Sequence, residues 1–95
     1  MFLIREPIRF YCPLDEDHFF AWLHDIPAVK GVDGTVAGLE LDIEEPIDKT
    51  SLYELIGLLT RYDVDRRCLR PLVESNPDPW FRDPGRYWHQ SVFGE

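Results

Sequence analysis

Several residue types in this chain could do chemistry, and each has to be weighed at its own spacing. Asp15, Glu16 and Asp17 are three consecutive carboxylates. Acids at the first turn of a helix are favoured by the helix dipole, so they read as start signals rather than as an acid-base or metal cluster. His18, His24 and His89 lack the H-x-x-x-H or H-E-x-x-H spacing that would hold zinc. Cys68 stands beside Arg66, Arg67 and Arg70, where neighbouring cations would lower a thiol pKa, but its helical register next to Leu69 points to a buried, inert side chain. Ser51 reads as a helix cap and has no nucleophile-elbow context. Gly31, Gly34 and Gly38 do not form a phosphate-binding loop. No catalytic constellation emerges, and neither a metal nor a cofactor is implied.

Two surface features remain. Glu40, Asp42 and Glu44 alternate along one stretch, with Glu45 and Asp48 following, which makes an acidic strip suited to a basic partner. The alternative is that Arg5 and Arg9 pair across from a neighbouring strand, each pair contributing about 0.2–1 kcal/mol. That would still leave Glu44, Glu45 and Asp48 unmatched. The second feature is aromatic: Trp80, Phe81, Tyr87, Trp88 and Phe93 crowd the last sixteen residues. Rings at this density are core, since each buries about 150–250 Å². Trp80 and Trp88 are assigned there, and Tyr87, Arg82 and Arg86 to the surface, where Tyr and Arg anchor partners.

The elements that position these groups follow from periodicity. Phe2, Ile4, Ile8 and Phe10 alternate with Leu3, Arg5, Arg9 and Tyr11 as in a strand with one buried face, and Pro7 makes it an edge strand or a bulge. Asp15 is the expected N-cap of the first helix, with Leu14 and Phe19 as a hydrophobic staple. Phe19, Trp22, Leu23 and Ile26 face the core until Pro27. Asp33-Gly34 is a type I′ hairpin signal between strands at Val29–Val32 and Thr35–Glu44. Ala37, Leu39, Leu41 and Ile43 should then point inward. Ser51-x-x-Glu54 is a capping box before Leu52, Leu55, Ile56 and Leu59, and Gly57 suggests a close backbone contact. Tyr62–Asp65 is a turn with a cap. Cys68, Leu69, Leu72 and Val73 suggest a third helix ending near Asn76, with Pro71 in conflict. Asp83-Pro84 and Gly94 bound a fourth helix over 84–93.

The order β-α-β-β-α-α-α is an α+β domain, a small three-stranded, mainly antiparallel sheet with helices packed on one face. At 95 residues the chain is a single domain, residues 1–95, able to bury about 60–65% of its unfolded surface. Apolar content of 44% excludes a disordered chain. Two cysteines without motif spacing, an N-terminus lacking an apolar signal run and no membrane-spanning stretch predict a cytoplasmic protein with reduced thiols. The net charge of −8 is uneven. Residues 13–60 hold Lys30 and Lys49 against eleven acids, whereas residues 61–95 balance six arginines with six acids. Such a field disfavours nucleic acid and attracts basic proteins, although acidity also keeps a small protein soluble.

The motifs D-E-D-H-F-F-A-W-L-H-D-I-P-A-V-K-G-V, S-L-Y-E-L-I-G-L-L-T-R-Y-D-V-D and W-F-R-D-P-G-R-Y-W-H-Q-S-V-F-G, in that order, resemble a group of small bacterial proteins that includes toxin-immunity proteins. The resemblance spans nearly the whole chain and rests on aromatic and apolar positions. It implies a non-enzymatic cytoplasmic inhibitor that masks a basic toxin, and it carries over no catalytic residue. A self-assembling, homodimeric interaction module joined along a strand edge is the alternative.

Overall fold

In a computed structural model, which describes residues 2–4, 8–36 and 38–94, the chain is an α+β fold of helices on an antiparallel sheet. Strand β1 is Phe2–Ile4, helix α1 Pro13–Asp25, strand β2 Val29–Thr35, strand β3 Gly38–Ile43 and helix α2 Lys49–Arg61. A 3₁₀ turn, Arg66–Leu69, leads into α3, Arg70–Ser75. A second 3₁₀ turn, Pro79–Arg82, precedes α4, His89–Phe93. Strand β3 pairs antiparallel with β2, and Phe2–Ile4 lies antiparallel on its other side, in the order β1-β3-β2. Among the described residues no helix is long and apolar enough to cross a membrane.

The first strand is shorter than alternation suggests. Residues 8–10 are outside any strand, and Tyr11 is 82% exposed. Arg5 and Pro7 lie outside the described residues. Helix α1 starts two residues before Asp15, with Cys12 as N-cap and Pro13 in the first turn, where its missing N–H costs nothing. The Cys12 carbonyl accepts from the Asp15 and Glu16 amides, and the Asp15 carboxylate reaches back to the Tyr11 N–H at 3.1 Å. Leu14 is 66% exposed, so it forms no staple with buried Phe19. Phe19, Leu23 and Ile26 do enter the core, and Trp22 packs half-buried against it.

The hairpin turns three residues later than Asp33-Gly34 predicts. Thr35 pairs with Gly38, Gly34 with Leu39 and Asp33 with Glu40. A turn at Asp33-Gly34 would set Leu41 and Ile43 opposite Ile26 and His24, at the end of α1, where no strand exists to pair with them. The observed register instead sets Val32 opposite Leu41 and Val29 opposite Ile43, and an irregularity between Val29 and Gly31 brings two valines of odd spacing to one face. Burial of Leu41 and Ile43 outweighs the local turn preference. Thr35 thus belongs to β2, and Ala37 lies outside the described residues.

Helix α2 is capped by Asp48, whose side chain accepts from the Ser51 N–H at 3.0 Å. Ser51 is not the cap. It is buried and its hydroxyl accepts from the Ala28 amide at 3.2 Å, tying the hairpin's start to α2. Leu52, Leu55, Ile56 and Leu59 are fully buried, as their spacing predicts. Gly57 faces a side chain rather than a backbone: an added Cβ would lie 3.8 Å from the Trp22 ring, an ordinary contact. The helix ends in a Schellman arrangement, with Val64 N–H on Leu59 O, Asp63 N–H on Thr60 O and Asp63 at φ 55°.

The expected third helix is two pieces. Asp65 caps the 3₁₀ turn through the Arg67 amide, and Pro71 falls in the first turn of α3, where a proline is tolerated. This resolves the conflict that Pro71 posed. Asp83 caps a turn at Gly85 rather than a helix, so α4 is only five residues long. Gly94 does not adopt a left-handed conformation. Its amide bonds Gln90 O at 2.7 Å so closely that a Cβ would collide with Gln90.

Candidate functional site

The acidic strip is built by the hairpin. Leu41 and Ile43 face the core, so Glu40 and Asp42 share the opposite side of β3, and strand pairing sets Asp33 directly across from Glu40. Like charges facing each other across an antiparallel pair destabilise it. Asp33 and Asp42 are exposed and Glu40 is half-buried. Beyond them, Glu44 is exposed and pairs with Lys30 at 3.4 Å, the ion pair found on this strip among the described residues. Glu45 is exposed in the loop that follows. Asp48 has another task. Its hydrogen bonds with Ser51 hold its carboxyl below the usual carboxylate range, which identifies it as a helix cap rather than a docking group.

The proposed cross-strand pairing from Arg5 and Arg9 is not what neutralises the strip at Arg9, which lies outside the strands, and Arg5 is outside the described residues. Asp33 was hidden from sequence reasoning by its assignment to a turn. The signal that could have exposed it is the odd spacing of Val29 and Val32, which demands a bulge and a longer β2.

Tyr87 belongs to a different cluster. It is 56% exposed and packs edge-on to Trp88 at 5.0 Å. Desolvation pushes its phenol up, against a hydrogen bond with Thr60 that lowers it. Trp88 is 1% exposed and donates its indole N–H to Phe81 O at 3.0 Å. Trp80 corrects the expectation of a core residue, because it is only half-buried. It stacks edge-on with Tyr53, Phe81 and Trp88, and Lys49 lies 4.4 Å and Arg86 5.0 Å from its ring.

The arginines of this end are committed internally. Arg70 donates to Val92 O at 2.6 Å and Gly94 O at 3.0 Å, while Arg82 donates to Asn76 O at 2.7 Å. Arg67 meets Asp65 at 2.8 Å and Arg86 meets Asp83 at 3.3 Å. The Arg67 hydrogen bond also holds the Asp65 carboxyl below its usual range. Cys68 is half-buried, with Sγ 3.0 Å from Asp65 O.

A cleft of about 500 Å³ opens between the segment before α1 and the end of α2, lined by Ile8, Arg9, Tyr11, Asp15, Arg61, Tyr62, Asp63 and Val64. The Tyr62 hydroxyl donates to Asp15 O at 3.3 Å. Partial burial, with the nearby Asp15, pushes the Tyr62 phenol up. Among the described residues no three His, Cys, Asp or Glu side chains are gathered where they could hold a metal ion. No family model, curated protein or solved structure matches the chain.

Proposed function

We propose that this chain is a non-enzymatic protein-binding domain whose hairpin face docks a cationic partner, acting as an immunity protein that masks a basic toxin. The observation that carries this reading is the placement of Asp33 directly across from Glu40, with Asp42 next on the same side of β3. That arrangement costs the hairpin stability, and a cationic surface would recover it. The three carboxylates sit where a flat, extended strand surface presents them together. Glu44 and Glu45 extend the negative field toward the loop. The toxin assignment rests on the resemblance of the chain's motifs to small bacterial immunity proteins, and the charge of the face agrees with a basic target.

The alternative is a homodimer joined along the sheet edge. It is favoured by the position of β2 at one side of the order β1-β3-β2. Its weakness is electrostatic, because joining two β2 edges brings two copies of the acidic hairpin face side by side. Light scattering over a concentration series separates the two: a monomer agrees with the first reading, a dimer with the second.

Coexpression with the product of a neighbouring toxin gene tests the function directly. Growth rescue, together with a complex whose association slows as salt rises, is the expected result. Failure to rescue, with no complex between the purified proteins at low salt, would overturn the immunity role.

A further inference from the structure

The cleft beside α1 contains charge that the fold does not use. Arg66, Arg67, Arg70, Arg82 and Arg86 each end on a carbonyl or a carboxylate. Arg9 and Arg61 do not: neither makes a hydrogen bond or ion pair among the described residues, and both line this cleft. The two carboxylates of the same lining are already engaged. Asp15 accepts from the Tyr11 amide, and Asp63 pairs with Arg66 at 3.4 Å. The hydrogen-bond donors left free in this lining are therefore the two guanidinium groups.

The rest of the lining sets the shape of a ligand. Ile8 and Val64 supply apolar surface, with Val64 buried, and Tyr11 and Tyr62 supply rings. A volume of about 500 Å³ falls within the range of small-molecule sites. Guanidinium groups bind planar carboxylates and tetrahedral phosphates alike through paired N–H donors. We propose that this cleft binds a small organic oxyanion, a phosphate ester or carboxylate with an aromatic-sized body, held by Arg9 and Arg61. The body packs along the Tyr11 and Tyr62 side of the cleft, and the charged end meets the two guanidinium groups. This site is independent of the acidic hairpin face, so either can fail without the other.

Amide-resolved NMR titration of the full chain with phenyl phosphate and, separately, benzoate tests the site. Shifts confined to Tyr11, Asp15, Arg61, Tyr62 and their neighbours, saturating with a Kd on the order of 1 mM for at least one probe, are expected. The tighter probe identifies the phosphate or the carboxylate class. Arg9→Gln and Arg61→Gln should each weaken binding about tenfold, the loss expected of one charge-assisted contact. Arg67→Gln, at a guanidinium already paired with Asp65, should leave it unchanged. Arg9 lies outside every helix and strand, so its variant reports on binding even where Arg61→Gln perturbs the end of α2. Absence of saturable shifts with both probes, shifts centred elsewhere, or undiminished affinity in well-folded Arg9→Gln would overturn the proposal.

Discussion

The two ends of this molecule treat charge in opposite ways. In the C-terminal third, arginines close the structure: Arg70 ties α3 to the carbonyls of Val92 and Gly94, and Arg82 reaches back to Asn76 O. The aromatic rings behave likewise, with Trp88 buried and its indole N–H bonded to Phe81 O. In the hairpin, carboxylates are set against one another, Asp33 facing Glu40 with Asp42 alongside. Polar groups that complete the fold are explained by the fold. Those that oppose it form the face proposed to dock a partner, and this difference distinguishes the two regions more clearly than residue composition does.

The contrast is broken most directly by removing Trp88. Trp88→Ala should cost about 3–5 kcal/mol in urea unfolding, the loss of a fully buried ring together with its hydrogen bond. A loss below 1 kcal/mol would mean that the C-terminal segment is an appendage and not part of the core, against the magnitude expected for such a site. Arg70→Ala comes next, at roughly 1.5–3 kcal/mol, because its guanidinium serves two main-chain carbonyls at a part-buried position. If the same experiment finds Arg70→Ala neutral, the arginines of this end are surface decoration.

Asp48 sharpens the boundary between the regions. It follows the acidic strip in sequence but works for the fold, so Asp48→Ala should cost about 1 kcal/mol as a lost N-cap. Its folded-state pKa lies below the ordinary value of 3.8, through hydrogen bonding to Ser51. The stabilisation is therefore complete above that ordinary value and fades as pH falls through the lower folded-state value. Acid titration of thermal stability should show this loss in the wild type and a shallower acid limb in Asp48→Ala. The smallest effect has the opposite sign. Asp33→Asn or Glu40→Gln should stabilise the domain by about 0.2–1 kcal/mol, by relieving a like-charge cross-strand pair.

The α+β class, the buried faces of α1 and α2 and the antiparallel hairpin were legible because apolar periodicity reports burial over many residues at once. Phe19, Leu23, Leu52, Leu55, Ile56 and Leu59 illustrate this. Element ends were less legible, because several residues of one stretch compete for one local role. Asp15 and Cys12 compete for the N-cap of α1, and Asp48 and Ser51 for that of α2, and the outcome depends on distant partners. Ser51 is drawn inward by the Ala28 amide, which leaves the cap to Asp48. The turn at Asp33-Gly34 failed for a similar reason, since the register of Leu41 and Ile43 against β2 is a tertiary choice. Trp80 was misplaced because composition cannot distinguish a core ring from one with Lys49 and Arg86 over it. Of the candidate site, Glu40, Asp42 and Glu44 were visible by alternation and Glu45 by following them directly, whereas Asp33 depended on that register. The cleft of Arg9 and Arg61 joins segments far apart in sequence, and no local pattern marks it.

The central claim is that the hairpin carboxylates serve a partner and not the fold. Its most direct measurement compares tagged wild type with the Asp33→Asn, Glu40→Gln, Asp42→Asn triple variant, both purified from the native host and melted in parallel. The account predicts that the wild type retains a basic protein released by raised salt, and that the variant loses it while melting at an equal or higher temperature. A variant that retains the same partner, or one that melts well below the wild type, would contradict it.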